Sequence, residues 1–218
     1  MKYIVFGASG ETGQLIVSQL IEKNQNVVAV LRSKEQARSF PKEATIAIGT
    51  SLDQNFVFST IQEDDTIISA IGPTRKTRNP WSPLVSPKYL MENSIQNIAN
   101  ACIKNHAKAL IYISAYGVGS DWWKLPLWMR AIIQLSNLKF AYADHARAES
   151  LLKVYDFPKL ILKPVLLVNG SDYKKPMDVT GKKISPLAKI NRSAVARYIS
   201  EIDTKLFSTQ TVELLGEK

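Results

Sequence analysis

The chain has 218 residues, a formal net charge of +9 and a single cysteine, and 45% of its residues are hydrophobic. A chain of this length can bury roughly 70% of the surface of its unfolded form, so it needs no disulfide or metal to fold. Its composition excludes collagen, coiled coil and disorder as the main state. The apolar runs are too short for a membrane span or a signal peptide, and one cysteine is typical of a reducing cytoplasm, where we expect the protein.

The excess of positive charge predicts anionic partners, such as phosphorylated cofactors or acidic metabolites. The basic residues are scattered in small groups, with no run of five or more. This distribution favours an ordinary basic surface over a nucleic-acid interface, although a pI near 9.5 leaves the interface open. Two histidines and one cysteine argue against a zinc site, so no metal is expected.

Short apolar runs alternate with longer amphipathic stretches along the chain. Continuous apolar runs are typical of strands buried on both faces of a parallel sheet. They lie at residues 3–6, 27–31, 44–48, 66–71, 109–113, 160–162 and 211–215, and helical periodicity lies at 12–23, 87–106, 141–154 and 192–202. This alternation predicts a Rossmann-like α/β fold, a doubly wound parallel sheet of about seven strands with helices on both faces.

Two segments depart from this alternation. Residues 72–87 contain four prolines and follow a predicted strand directly, and residues 170–186 are rich in lysine, glycine and proline. Loops after the carboxyl ends of strands line the ligand crevice of an open α/β sheet. We therefore expect a single domain over 1–218, with the ligand near 72–87 and a small substrate-side cap at about 165–190. Plain surface loops are the alternative.

The sequence Gly7-Ala8-Ser9-Gly10-Glu11-Thr12-Gly13 follows the first predicted strand and opens the first helix. In such a turn the first glycine permits a sharp bend, the second a close approach to pyrophosphate, and the third tight packing of helix on strand. The free N–H groups at the start of the helix attract phosphate. In this strand–turn–helix context the motif predicts a dinucleotide-binding site.

Arg32 follows the second predicted strand, where an acidic residue would bind the ribose 2′-hydroxyl of NAD. An arginine instead suits the 2′-phosphate of NADP, because its charge and its forked donors match a phosphate. Ser33 and Lys34 stand where they could add hydrogen bonds or charge. A solvated basic turn is the alternative. The position therefore predicts NADP(H) as the cofactor.

These motifs, together with Ser69-Ala70-Ile71-Gly72 and the segment from Tyr112 to Gly119, resemble the atypical short-chain dehydrogenases/reductases. Within them the chain is most similar to the NAD(P)H-binding, NmrA-like proteins, in the biliverdin-IXβ reductase/flavin reductase branch. The resemblance extends over nearly the whole chain and includes residues 144–152, 160–164 and 193–196. It implies an NADPH-dependent oxidoreductase that transfers hydride to a small planar acceptor, such as a flavin, quinone, tetrapyrrole or conjugated ketone. Nothing in the sequence chooses between a monomer and a homodimer.

The resemblance also implies which residues surround the cofactor. It assigns the pyrophosphate to Gly7, Ala8, Ser9, Gly10, Glu11 and Thr12, the 2′-phosphate to Arg32 and Ser33, and the ribose and nicotinamide to Ala70, Ile71, Gly72, Ser114, Ala115, Lys163, Pro164 and Val165. The family often has an acidic residue near the adenine, after the third strand. This chain has Ser51 in that region, so an acidic contact is not expected there.

Typical members of the superfamily use a serine and a Tyr-x-x-x-Lys pair, in which the lysine lowers the pKa of the tyrosine. Here Ala146 stands four residues after Tyr142, in place of the lysine. Arg147 is one position too far, which rotates it by about 100° around a helix. The candidates for catalysis are Ser114, Tyr116 and His145.

Each candidate has an alternative. Tyr116 either reaches the pocket or packs in its loop. His145 has a near-neutral intrinsic pKa suited to proton donation, or it lies on the helix surface and pairs with Glu149. Three tryptophans are suited to stacking on a planar substrate or to ordinary packing, namely Trp122, Trp123 and Trp128. The absence of the Tyr-x-x-x-Lys pair also fits another class of function, a non-catalytic NADP(H)-binding redox sensor that regulates a partner.

Overall fold

The computed structural model describes residues 2–38, 40–170, 176–182, 184–185, 187–202 and 210–216. The strands are β1 (Tyr3–Phe6), β2 (Val27–Leu31), β3 (Thr45–Ile48), β4 (Thr66–Ser69), β5 (Ala109–Ile113), β6 (Lys159–Pro164), β7 (Leu166–Val168), β8 (Pro176–Asp178), β9 (Lys189–Asn191) and β10 (Gln210–Gly216). The helices are α1 (Glu11–Glu22), α2 (Lys34–Ala37), α3 (Gln54–Thr60), α4 (Leu90–Lys104), α5 (Leu127–Leu135), α6 (Leu138–Val154) and α7 (Arg192–Glu201), with a 3₁₀ turn at Gly119–Lys124. Each apolar run that was expected to be a strand contains one.

The main sheet has eight strands in the order β3-β2-β1-β4-β5-β6-β10-β8. Its neighbours are parallel except for β8, which pairs antiparallel with β10. The chain winds outward from β1 in both directions, so the expected doubly wound fold is confirmed. The sheet has one strand more than expected because β8 is only three residues long and begins with a proline, which leaves no strand pattern to detect. The strands β7 and β9 form a separate parallel pair.

Two hydrophobic cores lie on the two faces of the sheet. Side chains of α1 and α7, such as Ile16 and Val195, build one core. Side chains of α4 and α6, such as Ile95 and Leu152, build the other. The strands β1, β4 and β5 between them are buried along their whole length. Cys102 belongs to the second core and is only 1% exposed.

The start of α4 differs from the expectation. Helical periodicity predicted a helix from residue 87, but α4 begins at Leu90. The backbone N–H groups of Met91 and Glu92 donate to the carboxylate of Asp144 at 2.9 and 3.0 Å, so a residue of α6 caps this helix. Ser86 instead accepts a hydrogen bond from the backbone of the preceding loop. Local sequence rules miss such a cap because it comes from 53 positions along the chain.

Three helices were not expected, namely α2, α3 and α5. In α5, Ile133 is buried, whereas Leu127 and Leu135 are exposed. Within the expected cap at 165–190, residues 171–175, 183 and 186 lie outside the described residues. In the part of the chain that the structure describes, no helix is both long and apolar enough to cross a membrane.

Candidate functional site

A tight glycine turn joins β1 to α1. Gly7 adopts a φ of +77°, in the left-handed region that favours glycine, and a Cβ there would lie 2.7 Å from the Ala70 backbone. A Cβ on Gly13 would lie 2.2 Å from the carbonyl oxygen of Gly7. The turn, the end of β4 and the first turn of α1 therefore approach one another more closely than a side chain at either position would allow.

A groove of about 310 Å³ opens beside this turn, at the carboxyl ends of β1, β2 and β4. Its described lining contains no carboxylate. Arg32 lies in it without a carboxylate partner among the described residues, and its backbone N–H donates to Gln36 Oε1 at 3.0 Å. The expected cofactor residues that line the groove are Gly7, Ser9, Gly10, Arg32, Ser51, Ala70, Ile71 and Gly72. A glycine cradle and an unpaired cation thus share one groove.

Other residues expected at the cofactor have their side chains elsewhere. Ala8 is fully buried beneath the turn, and Thr12 does not border the groove. The carboxylate of Glu11 pairs with Arg78 and, at 3.2 Å, with Nε of Arg192. Ser33 precedes the first residue of α2, and its hydrogen bond lowers the pKa of Glu35. The side chains of Glu11 and Ser33 are therefore engaged within the protein.

A second cavity of about 470 Å³ lies next to the groove and is mainly apolar. Thr74 borders the groove and the following residue, Arg75, borders the cavity, so adjacent residues of the loop after β4 line the two spaces. The helix α5 supplies one wall through Trp128, Met129 and Ile132. The cavity is also lined by Ser114, Ala115, Tyr116, Pro164 and Val165, all of which were expected near the nicotinamide or in catalysis.

Residues 7–204 match the family of NAD(P)H-binding proteins. The chain belongs to this family. The UPF0659 protein YMR090W of Saccharomyces cerevisiae is 24% identical over 210 residues, which are 92% of this chain and 86% of the yeast protein. ChuY, an anaerobilin reductase from Escherichia coli O157:H7, has the same fold, with a TM-score of 0.81 and 20% identity over 100% of this chain and 98% of its own. A short-chain dehydrogenase/reductase from Veillonella parvula, solved in complex with NADP, has a TM-score of 0.75. It is 15% identical, and the match covers 99% of this chain and 94% of that protein.

The family match confirms the expected NAD(P)H-binding family, and these solved structures share the expected fold. The Tyr-x-x-x-Lys pair of the superfamily is nevertheless absent. The Tyr142 hydroxyl donates to the carbonyl of Tyr116 at 3.4 Å, and burial raises the pKa of Tyr142 to about 12. Arg147 pairs with Glu92 at 2.7 Å instead of approaching the tyrosine. Tyr142 therefore keeps its proton at neutral pH.

A buried charge cluster, formed by Ser114, Glu149, Lys163 and Asp121, lies behind the wall of the apolar cavity. Ser114 Oγ donates to Glu149 Oε1 at 2.5 Å, and Lys163 Nζ lies 3.1 Å from Glu149 Oε2 and 2.5 Å from Asp121 Oδ2. Burial raises the pKa of Glu149, although Lys163 and Ser114 oppose this effect. The structure places the Lys163 ammonium in this cluster rather than in the lining of the groove or of the cavity, where the nicotinamide was expected.

The buried charge cluster continues toward the surface through Lys124. Its ammonium lies 3.0 Å from Asp121 Oδ1 and 2.6 Å from Glu213 Oε1. Burial of Asp121 favours its neutral form, but hydrogen bonds from Lys163 and Lys124 outweigh this effect and lower its pKa. Each of the three carboxylates thus lies within 3.1 Å of an ammonium group, as burial of charged groups requires.

His145 differs most from its expected placement. The alternative of an exposed histidine paired with Glu149 is wrong, because His145 is only 9% exposed and Glu149 bonds Ser114 and Lys163. Nδ1 of His145 lies 2.6 Å from the Tyr112 hydroxyl. Burial, together with the nearby Lys163 charge, lowers the pKa of His145 to about 4. The imidazole is therefore neutral at physiological pH and borders neither the groove nor the cavity.

The tryptophans divide between two environments. Trp128 lines the apolar cavity, as the hypothesis of a stacking residue requires. Trp122 packs edge-on against Tyr142, with ring centroids 6.0 Å apart, and lies outside the described lining of this cavity. Trp123 is 77% exposed and contacts Arg130 through a cation–π interaction.

Sequence reasoning missed two features of the site. The first is the pairing of Ser114 and Lys163 through Glu149. A lysine inside a strand that is otherwise apolar was the available signal, because a fully buried lysine needs a partner. The second is Arg75 at the cavity. It gave no signal, because nothing in a proline-rich loop shows which way its side chains point.

Proposed function

We propose that this chain is an NADPH-dependent reductase that transfers hydride to a planar acceptor, such as a flavin, quinone, tetrapyrrole or conjugated ketone. The proposal is carried by the arrangement of two spaces, since a positively charged groove with a glycine cradle and a mainly apolar cavity are bordered by the adjacent residues Thr74 and Arg75. Dinucleotides bind along the carboxyl ends of such strands. The adenosine half fits the groove, and the nicotinamide would then reach the cavity.

The residues of the groove fit NADPH. The backbone at Gly7, Ser9 and Gly10 and the first N–H groups of α1 hold the diphosphate. Arg32 holds the 2′-phosphate by charge-assisted hydrogen bonds, and its lack of a carboxylate partner in the described chain supports NADP over NAD. Ser51 lies toward the adenine, while Ala70, Ile71 and Gly72 border the path toward the ribose. When bound, the cofactor supplies the hydride.

The cavity supplies the surroundings of the acceptor. Ser114 lies in its wall and donates its proton to Glu149, so its oxygen can accept a hydrogen bond from an N–H or O–H group of the acceptor and orient it. Tyr116 borders the same space, and Ala115, Pro164 and Val165 are apolar walls that exclude water. A flavin or quinone needs little acid assistance because its reduced anion is delocalised, so the missing Tyr/Lys pair is compatible with reduction. His145 supports Tyr112 from beneath and donates no proton in this proposal.

The segment at about 165–190 completes the proposal as a small cap within a single domain of residues 1–218. Leu166, Leu167, Ser185 and Ala188 line the apolar cavity, which supports this assignment for the described part of the segment. One protein of similar fold is an anaerobilin reductase, which supports including tetrapyrroles among the acceptors to be tested.

Calorimetry with NADPH and NADH, followed by measurement of NADPH oxidation, tests the proposed function. We expect NADPH to bind more tightly than NADH, and riboflavin, menadione or biliverdin to be reduced. Tight NADPH binding without oxidation by any of the three acceptors would instead favour the redox sensor, whose next test is capture of a protein partner. The absence of binding to either dinucleotide would overturn both functions.

A further inference from the structure

Arg75 occupies a fixed position at the apolar cavity. It lies in the loop between β4 and α4, where it forms an antiparallel bridge with Leu84. The neighbouring backbone is tied by hydrogen bonds from Lys76 N–H to the Pro83 carbonyl, at 3.0 Å, and from Val85 N–H to the Thr74 carbonyl, at 2.8 Å. The short ladder holds this stretch of the loop, and the Arg75 side chain borders the cavity.

One nitrogen of the Arg75 guanidinium is buried and unpaired. Nη1 is inaccessible to water and has no hydrogen-bond partner, and Arg75 forms no ion pair with any described residue. A buried charged donor without an acceptor is unfavourable, so such groups are nearly always paired in folded proteins. Because the Arg75 side chain borders the cavity, an anionic group on a ligand there would compensate its charge without having to reach Nη1 itself.

The charges around the cavity indicate the sign of that ligand. The described lining contains two arginines and no carboxylate. The second arginine, Arg192, is already paired with Glu11 at 3.2 Å and bonds Asn169 Oδ1 at 2.8 Å. Arg75 is therefore the cation of the described lining that lacks an anion.

We propose that Arg75 binds a carboxylate on the acceptor, so that the substrate class is a planar conjugated molecule with an acidic substituent. This inference rests on the proposed function, because it takes the apolar cavity as the acceptor site. The guanidinium fork matches a carboxylate bidentately, and Trp128 and Tyr116 offer aromatic surface to the ring system in the same space. Apolar walls strengthen the ion pair because they exclude water.

The test uses two non-reducible probes of equal size, 2-naphthoate and 2-naphthamide, titrated onto the protein saturated with NADP⁺ and onto the protein alone. We expect the wild type to bind the carboxylate about 10- to 100-fold more tightly than the amide, as a charge-assisted hydrogen bond permits. Arg75→Gln should abolish this preference, while Arg75→Lys should retain part of it. Lys76→Gln is the matched control, since it removes one charge from the exposed side of the same loop and should keep the preference. Thermal unfolding of each variant verifies that it is folded.

Equal affinities of the wild type for the two probes would overturn the inference. So would an Arg75→Gln variant that loses affinity for NADP⁺ while it keeps the preference for naphthoate, because the arginine would then serve a cofactor phosphate. These results are distinguishable from failure of the proposed function, which is failure to bind NADPH or to oxidise it. The naphthoate preference requires no turnover.

Discussion

The groove and the apolar cavity differ in how the chain builds them. The groove is formed mainly by the turn after β1 and by the first residues after β2, β3 and β4, and its whole described lining lies within the first 90 residues. The cavity is formed by residues between Arg75 and Arg192, taken from three loops, three helices and the segment around β7. A site made of local turns has a local sequence motif, whereas a site made of distant side chains does not.

The largest expected effect breaks the groove at the glycine turn. Gly13→Ala should destabilise the protein by about 3 kcal/mol and abolish NADPH binding, because its Cβ would lie 2.2 Å from the Gly7 carbonyl oxygen and backbone must move. Chemical denaturation and calorimetry measure the two effects. Gly72→Ala is the matched control for stability, since a Cβ there meets nothing within 4 Å. Equal stabilities of the two variants would contradict the close approach.

The second prediction concerns His145, which contacts Tyr112, and the dependence of stability on pH. His145 has a pKa of about 4 when folded and an ordinary value of 6.5 when unfolded, so only the unfolded chain gains its proton between these values. The free energy of unfolding should therefore fall as the pH is lowered from 6.5 toward 4, by about 1.4 kcal/mol per pH unit from this group. Above pH 6.5 the imidazole is neutral in both the folded and the unfolded chain, so this group no longer lowers the free energy of unfolding.

Denaturation curves across this pH range for the wild type and His145→Asn isolate the effect, since the variant should lose this part of the pH dependence. His106→Asn removes the other histidine of the chain, at a position with a φ of +53° that asparagine tolerates, and should follow the wild type. Parallel curves for wild type and His145→Asn would show that the imidazole is not held neutral.

The smallest expected effect changes the groove alone and weakens the binding of NADPH but not of NADH. Arg32→Glu should weaken NADPH binding by roughly 10- to 100-fold, the loss of one charge-assisted phosphate contact, and should leave NADH nearly unchanged. Isothermal titration with both dinucleotides measures this difference. Arg38→Glu makes the same charge change at an exposed residue outside the groove and should affect both cofactors little. Equal losses for the two cofactors would remove the case for NADP preference.

The sequence predicted the sheet and the groove because both depend on local patterns. Apolar runs identify buried strands directly, and the constraint on Gly13 comes from Gly7, a neighbour close in the chain. It failed where distant residues decide the structure. Asp144 sets the start of α4 from another helix, and Tyr112 turns His145 from a surface candidate into a buried neutral side chain.

The second core also contains the single thiol of the chain. Cys102 is enclosed by α4 and its neighbours, and burial raises its pKa to about 12, so the reactive thiolate is almost absent while the protein is folded. Covalent labelling of this cysteine consequently requires an opening that exposes the core. Its rate under native conditions reports how often the molecule opens, without any engineered probe.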